Sequence, residues 1–243
     1  MPKKRYPRFL QAADQAVIVE FGETIDPVVN RQVIGLDQDL ARQPLEGVLE
    51  TIPTYRSLFI RYDPTRRSSA SLIDELQCRM TEELSDDAER RLWTVPVFYG
   101  GEAGMDLEDV ASLHGLSVDE VIALHSNARY RVYMIGFMPG FAYLGGLPDA
   151  IHTPRLTNPR PLTPAGGIAI GGMQASINSV ASPSGWRFIG RTPLRLFDPK
   201  REPAILLRAG DEIQFECISE DEAARLDALT EAGKVTASCK ELR

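Results

Sequence analysis

The chain contains 243 residues, of which 43% are hydrophobic and 25% are charged, and it carries a net charge of −7 at pH 7. These values are typical of a globular protein with one large hydrophobic core or two modest ones. The acidic balance argues against nucleic acid as the main partner, and no apolar stretch reaches the roughly 18–20 residues that a membrane span requires.

The first ninety residues alternate between strand and helix patterns. Strands are predicted at residues 16–21, 47–52 and 57–62. Asp26 followed by Pro27 is typical of a helix start, and a second amphipathic helix is predicted from Ser68. With a last strand near residues 93–98, this order gives a split β-α-β layout that resembles the ferredoxin-like fold.

Two further helices are predicted after residue 100. The first covers residues 107–113, and the second begins at Ser117, where Glu120 completes a capping box. His125 lies at the end of the second helix. A histidine in that position is more often a helix cap than a catalytic base, and both roles are considered.

Residues 134–199 contain 10 of the 19 glycines and 9 of the 17 prolines. This composition excludes a regular helix, because proline removes backbone donors and glycine favours irregular backbone. The charged residues of the segment are five arginines and two aspartates, so that it is basic within an acidic chain. Two interpretations are equally open: a rigid surface that binds a small anion, or a β-barrel whose tight corners require glycine.

The glycine-rich segment lacks the common catalytic and phosphate-binding motifs. It contains neither a Walker loop nor a G-x-S-x-G nucleophile elbow, and residues 168–170 are predicted to form a buried strand. Residues 182–185 are interpreted as a turn rather than as the site of a catalytic serine. Trp186 is predicted to be a core residue.

Aromatic residues alternate with glycines between Gly136 and Leu144. Phe141 and Tyr143 in this stretch predict an aromatic-walled pocket for a planar, amide-containing ligand. The alternative, with equal weight, is that these side chains only cover the end of a barrel.

Three arginines of the segment stand beside prolines, namely Arg155, Arg160 and Arg191. A guanidinium group on stiff backbone loses less entropy when it binds an anion, which favours a role in substrate binding. An internal salt bridge is the equal alternative for each of them.

The end of the chain returns to regular patterns. Strands are predicted at residues 204–207 and 212–215, and a helix is predicted from Glu220. Beyond this helix no regular structure is expected.

Neither a metal site nor a disulfide framework is predicted. Cys78, Cys217 and Cys239 are odd in number and far apart, which is typical of reduced cytoplasmic thiols. The three histidines form no H-E-x-x-H pattern. The basic N-terminus is not followed by an apolar segment, so neither a signal peptide nor a membrane anchor is expected.

Several motifs, taken together in order and spacing, resemble those of one family. They are Val95–Gly101, Gly136–Leu144, Pro154–Arg160, Pro164–Gly166, Gly185–Trp186 and Ile189–Pro193. The set is similar to that of the allophanate hydrolase subunit 1 family, which includes the B subunits of 5-oxoprolinases and the sporulation-kinase inhibitor. The resemblance runs from the N-terminal strands to the turn at residues 209–211.

This resemblance implies an α+β protein with a ferredoxin-like domain over residues 1–92 and a cyclophilin-like β-barrel domain over residues 93–243. It also implies that the chain converts 5-oxoproline to glutamate at the expense of ATP, together with the A and C subunits of a 5-oxoprolinase, of which C is homologous to this chain. The chain alone would be inactive or nearly so, and the ATP site would be shared with a partner.

Site residues carried over from the resemblance are assigned as follows. His125 and Arg191 are catalytic candidates, His125 for proton transfer. The substrate-binding candidates are Phe141, Tyr143, Arg155, Arg160 and Gln174, with Gln174 bonded to the amide. The arginines would neutralise the substrate carboxylate or the transferred phosphoryl group.

The chain departs from the family pattern at three places. After Gln174 it reads Ala-Ser-Ile-Asn-Ser where the family usually has Thr-Gly-Ile-Tyr-Pro. Gly167 replaces a usual serine, and Ser184 replaces a usual glycine. Loss of a tyrosine and a hydroxyl from a pocket rim would alter the substrate or weaken catalysis. Two alternative functions follow from the same family: inhibition of a histidine kinase by binding, and a role in urea or allophanate metabolism.

Overall fold

The computed structural model describes residues 5–81 and 90–242, and its contacts divide the chain into two compact units with the break between residues 89 and 90. A polar run at residues 85–92, whose sequence suits either a linker between domains or the end of a helix, lies mostly outside the described residues. Each unit has its own hydrophobic core.

The first unit is a four-stranded antiparallel sheet with two helices. Its elements are β1 (Arg8–Ala12), β2 (Ala16–Glu20), α1 (Pro27–Arg42), β3 (Val48–Pro53), β4 (Ser57–Tyr62) and α2 (Ser69–Thr81). The start of α1 is as predicted, because the Asp26 carboxylate accepts the backbone N–H groups of Val28 and Val29 and Pro27 occupies the first turn.

The strand order β1-β2-β4-β3 corrects the prediction for the edge of this sheet. The split β-α-β unit is present, with β4 inserted between β2 and β3. The position beside β2, however, is filled by β1 through a tight hairpin, and residues 93–98 belong to the second unit. The ferredoxin-like assignment as such stays a prediction.

The second unit is a closed β-barrel with accessory helices. Its elements are β5 (Arg90–Tyr99), α3 (Leu107–His114), α4 (Val118–Asn127), β6 (Arg129–Ile135), β7 (Ala142–Gly145), β8 (Arg160–Thr163), β9 (Gly167–Gly171), β10 (Gln174–Ile177), β11 (Ser182–Ser184), β12 (Arg187–Arg191), β13 (Glu212–Cys217), α5 (Glu220–Glu231) and β14 (Ser238–Leu242). The strand order is β12-β9-β10-β7-β6-β13-β5, and pairing of β5 with β12 closes the ring. Closure leaves the seven strands without a free sheet edge over most of their length.

One of the ring's pairings is parallel, between β13 and β5. β14 extends β5 beyond the ring, and β8 pairs with β11 as a separate two-stranded ribbon. The fold is therefore α+β with a barrel, and glycines at its corners agree with the barrel interpretation of the glycine-rich segment.

Three expectations for this unit are corrected by strand pairing. Residues 204–207 form no strand, since only Ile205 makes an isolated bridge, to Phe197, and the apolar pattern reflects the burial of Leu206 and Leu207. Residues 182–184 form strand β11 instead of a turn. The end of the chain pairs with β5 as β14.

The two faces of the barrel strands bury different sets of residues. Ile168 and Ile170 of β9 point into the main core inside the barrel. Ala169, between them, packs on the outer face in a small cluster with Trp186 and Phe188. The outer face of β7, β10, β9 and β12 is thus covered as well, and it carries the candidate site.

None of the helices in the described part of the chain is long and apolar enough to cross a membrane.

Candidate functional site

A row of buried polar side chains follows the outer face of β10. Ala175 and Ile177 of this strand belong to the barrel core. Gln174 and Ser176 alternate with them, and the backbone bonds of Asn178 to Gly166 and Gly167 continue the same ladder. Gln174, Ser176 and Asn178, here called the polar row, retain 6%, 0% and 1% of their exposure, respectively.

Aromatic rings border and cover the polar row. Tyr143 of β7 lies opposite Ser176 in the strand register. Its ring centroid is 4.7 Å from that of Phe141 and 6.0 Å from that of Trp186. Trp186 stands just before β12, on the far side of β9, and its indole lies against Gly171 of β9 and reaches the ring of Tyr143 from β7. The predicted burial of Trp186 is confirmed, and its indole forms part of the aromatic cover of the polar row.

Gly171 explains how the indole reaches this position. A Cβ atom at residue 171 would lie 2.5 Å from the ring of Trp186, so that the ring or the backbone would have to shift. Gly171 is paired with Gln174 on the neighbouring strand. The glycine therefore lets the indole lie flat against β9 and close over the first member of the polar row.

Each residue of the polar row has a side-chain atom without a hydrogen-bond partner in the described part of the protein. Gln174 Nε2, Ser176 Oγ and Asn178 Oδ1 are buried without a hydrogen-bond partner among the described residues, as are Ser179 Oγ and Ser182 Oγ. An unmade hydrogen bond at a buried polar atom costs about 1–3 kcal/mol. These five atoms lie within nine residues, and they can form hydrogen bonds with bound water or with a polar ligand.

The structure separates the three candidate arginines. Arg160 is bound by both oxygens of Asp106, at 2.6 and 2.9 Å, and Arg191 is paired with Asp227 at 2.9 Å. For these two the salt-bridge alternative holds. Arg155 has no acidic partner among the described residues, and its guanidinium carbon lies 5.1 Å from the centroid of the Trp186 ring. It is exposed and can receive an anion.

Asp106 is a structural residue that the sequence patterns did not single out. Besides binding Arg160, its carboxylate accepts the backbone N–H of Phe188 at 2.7 Å, and it is 2% exposed. The carboxylate thereby ties strand β8 to strand β12. The buried carboxylate of Asp106 therefore fixes the position of Arg160 in the ribbon relative to Phe188 in the barrel.

Residues 7–207 match the family described as carboxyltransferase domain, subdomain C and D. The chain belongs to this family. The B subunit of the 5-oxoprolinase of Bacillus subtilis (strain 168) is 42% identical over 221 residues, which cover 86% of this chain and 92% of that protein. The corresponding B subunit of Escherichia coli O157:H7 is 40% identical, with 83% and 92% coverage.

A solved relative, TTHA0988, has a TM-score of 0.76 and 38% identity, covering 84% of this chain. This chain spans only 40% of that longer protein. The family resemblance predicted from the motifs is confirmed by these relatives.

Within this member of the carboxyltransferase subdomain C and D family, the predicted substrate-binding residues fall into two groups. Phe141, Tyr143, Arg155 and Gln174 come together around the polar row. Arg160, bound to Asp106, supports the neighbouring ribbon. Burial raises the pKa of the Tyr143 phenol, and the nearby charge of Arg155 partly opposes that shift. Tyr143 is therefore a neutral hydrogen-bonding group at neutral pH.

His125 lies in the barrel core, fully buried. Its ring stacks on Phe215 with centroids 4.7 Å apart, and Nδ1 is 2.8 Å from the hydroxyl of Tyr99. Nε2 has no hydrogen-bond partner among the described residues. Burial lowers the pKa of His125 to about 3, so the ring is uncharged at neutral pH. The geometry supports a core histidine and gives no support to its predicted role in proton transfer.

The buried His125 predicts a loss of stability on mild acidification. Its pKa is about 3 in the native state and about 6.5 in an unfolded chain, so that only the unfolded state binds the proton between those values. Between pH 7 and pH 5 this group should remove about 2 kcal/mol of unfolding free energy. Urea denaturation of the wild type and of His125→Phe checks this, because the variant should lose the corresponding part of the pH dependence. An identical slope in both proteins would contradict the assignment.

Phe137 adds an exposed aromatic residue beside the site. Its φ is +69°, a region that non-glycine residues rarely adopt. The side chain is 59% exposed and contacts Phe141 edge to face at 5.7 Å. Strained backbone that presents an aromatic ring to solvent is common at binding sites, and this segment is one of the matched family motifs.

Proposed function

We propose that this chain is the B subunit of an ATP-dependent 5-oxoprolinase, acting with the A and C subunits of that enzyme. The proposal is supported by relatives of that name at about 40% identity over most of the chain. The structural observation that carries it is the polar row, covered by Trp186 and flanked by Arg155, which has no acidic partner among the described residues. An amide and a carboxylate are the two polar groups of 5-oxoproline, and this region offers partners for both.

The assigned contacts follow from charge and position. Arg155 binds the substrate carboxylate, since the guanidinium groups of Arg160 and Arg191 are already neutralised by aspartates. Gln174 Nε2 donates a hydrogen bond to the lactam oxygen. The ring of the substrate packs against Tyr143, whose hydroxyl stays protonated at neutral pH.

The chemistry requires activation, because an amide carbon is a poor electrophile. In the proposed reaction the γ-phosphoryl group of ATP passes to the lactam oxygen with release of ADP. Water then adds at C5 and the ring C–N bond breaks to give γ-glutamyl phosphate. A second water hydrolyses this acyl phosphate to glutamate and phosphate. ATP binds at a site shared with a partner, and this chain holds and orients the lactam in a water-poor environment. A cytoplasmic location belongs to the same proposal.

The proposal is tested by 5-oxoproline-dependent ATP hydrolysis in a complex of this chain with the A and C subunits. Each of the three proteins is omitted in turn. Activity that disappears without this chain supports the proposal. A correctly assembled complex without such activity would reject it and favour the alternatives, histidine-kinase inhibition or a role in urea or allophanate metabolism.

Arg155→Ala should raise the KM for 5-oxoproline about 10- to 100-fold, because a charge-assisted hydrogen bond contributes about 1.5–3 kcal/mol. Steady-state kinetics of the complex measures this change. Arg195→Ala is the matched control, since Arg195 is an exposed arginine of the same segment whose nearest acid, Asp198, is 3.7 Å away. Equal KM values for the two variants would remove Arg155 from the site.

A further inference from the structure

The orientation of Asn178 is fixed by its neighbours. Its Nδ2 is 3.1 Å from Thr163 Oγ1, and that hydroxyl donates its proton to the carbonyl of Ser182 at 2.7 Å. Because the Thr163 proton is already used, the side-chain amide of Asn178 must donate to Thr163 through Nδ2. Its Oδ1 therefore faces the other way, as an acceptor with no donor among the described residues.

Ser176, the neighbouring member of the polar row, can donate a hydrogen bond where Asn178 Oδ1 accepts one. Ser176 Oγ is fully buried between Ala169 and Tyr143 in the strand register, and it is without a partner in the described part of the chain. Alternate residues of a strand are about 6.7 Å apart, so one small group can contact two of them. Together the two side chains offer an acceptor and a hydroxyl donor along one line.

A five-membered lactam fits this arrangement. Its ring forces the N–H and the C=O to point to the same side, so that one edge of the molecule carries a donor next to an acceptor. Neither an ester nor a carboxylate edge offers an N–H to Asn178 Oδ1. The row therefore distinguishes a cyclic amide from its oxygen analogue.

We propose that Asn178 and Ser176 determine specificity for a lactam, with Asn178 Oδ1 accepting the N–H and the Ser176 hydroxyl donating to the carbonyl beside Gln174. This inference rests on the proposed function and names two residues that it did not include. Positions 176 and 178 usually hold glycine and tyrosine in the family pattern, so the inference concerns how this chain, and not the family as a whole, recognises the lactam. The indole of Trp186 must lift from the polar row for the ligand to enter, since the three polar atoms are closed to solvent beneath their cover.

The test compares 5-oxoproline with its lactone counterpart, in which oxygen replaces the ring nitrogen. In the wild-type complex with the A and C subunits, the KM for the lactam is compared with the inhibition constant of the lactone. A site that hydrogen-bonds an N–H rejects an analogue without it by several orders of magnitude. We expect Asn178→Leu to reduce this preference at least tenfold, through weaker lactam binding and unchanged lactone binding.

A second measurement excludes a merely structural role. Leucine has the same branching and the same number of heavy atoms as asparagine, and it leaves the bond from Thr163 to Ser182 in place. The variant loses the hydrogen bond from Asn178 Nδ2 to Thr163, whose hydroxyl keeps its bond to Ser182, and it also removes the unpartnered buried Oδ1, so that the loss and the gain largely cancel. The melting temperature of Asn178→Leu should therefore stay close to that of the wild type, whereas an asparagine that serves only the fold would lower it clearly.

The outcomes separate this inference from the proposed function. An active complex whose Asn178→Leu variant keeps the lactam preference overturns the inference and leaves the function intact. A wild-type complex without turnover rejects the function, and calorimetry with the same two compounds then tests the row directly. Equal binding of lactam and lactone, or binding of neither, contradicts the assignment. Ser176→Ala should reduce lactam affinity by a smaller factor, because Gln174 still contacts the carbonyl.

Discussion

Asp211→Ala is expected to lower the free energy of unfolding by about 3–5 kcal/mol, as is typical when one partner of a buried ion pair is removed. The carboxylate of Asp211 is 1% exposed and binds the guanidinium of Arg91 at 2.6 and 2.8 Å. It also accepts Nε1–H of Trp93 at 3.1 Å and the backbone N–H of Arg208 at 2.9 Å. One side chain thus joins the turn before β13 to the first strand of the barrel.

Chemical denaturation of the wild type and the variant measures this difference. The matched control is Asp109→Ala, because Asp109 is 71% exposed and lies 3.9 Å from Arg187 Nη1. Because the carboxylate is exposed and the contact is long, this ion pair contributes about 0–1 kcal/mol. Similar losses in the two variants would mean that the buried network has no special part in the stability of the barrel.

Local signals in the sequence predicted the helices well. The aspartate and proline at the start of α1 and the capping box at Ser117 and Glu120 act within one turn of chain, and both are present in the structure. Strand pairing depends on residues distant in sequence. The patterns therefore missed β1 and β14 and assigned residues 93–98 to the wrong sheet.

The sequence also predicted only some of the residues of the candidate site. Phe141, Tyr143 and Gln174 were predicted from motifs and lie together. Ser176 and Asn178 were not predicted as site residues, although the alternation of polar and apolar residues along β10 could have indicated them. That pattern ordinarily marks a strand with one solvated face. Here the second face is buried, because the rings of Tyr143 and Trp186, which lie outside β10, cover it.

The same reasoning explains the arginines. Their proximity to prolines predicted a rigid backbone but not their partners. Asp106 and Asp227 stand 54 and 36 residues from the arginines they bind, so only the folded chain reveals which guanidinium group is already neutralised. Arg155 differs from the others in its environment and not in its local sequence.

The contact between Gly171 and Trp186 leads to the second large effect. Trp186→Ala should cost about 3–5 kcal/mol, since a buried indole is lost and the outer face of β10 is opened. Gly171→Ala should cost about 1–3 kcal/mol in the wild type, because its Cβ would meet the indole at 2.5 Å and force it from the polar row.

A double-mutant cycle shows whether these costs have a single cause. In the Trp186→Ala background the clash is absent, and Gly171→Ala should be neutral or stabilising by up to about 1 kcal/mol through the reduced entropy of the unfolded chain. Gly185→Ala serves as the control, since its Cβ would meet only ordinary contacts, at 3.5 Å from Pro159. A cost of Gly171→Ala that persists without the indole would place the constraint in the backbone of β9. The glycine would then have no part in seating the cover of the site.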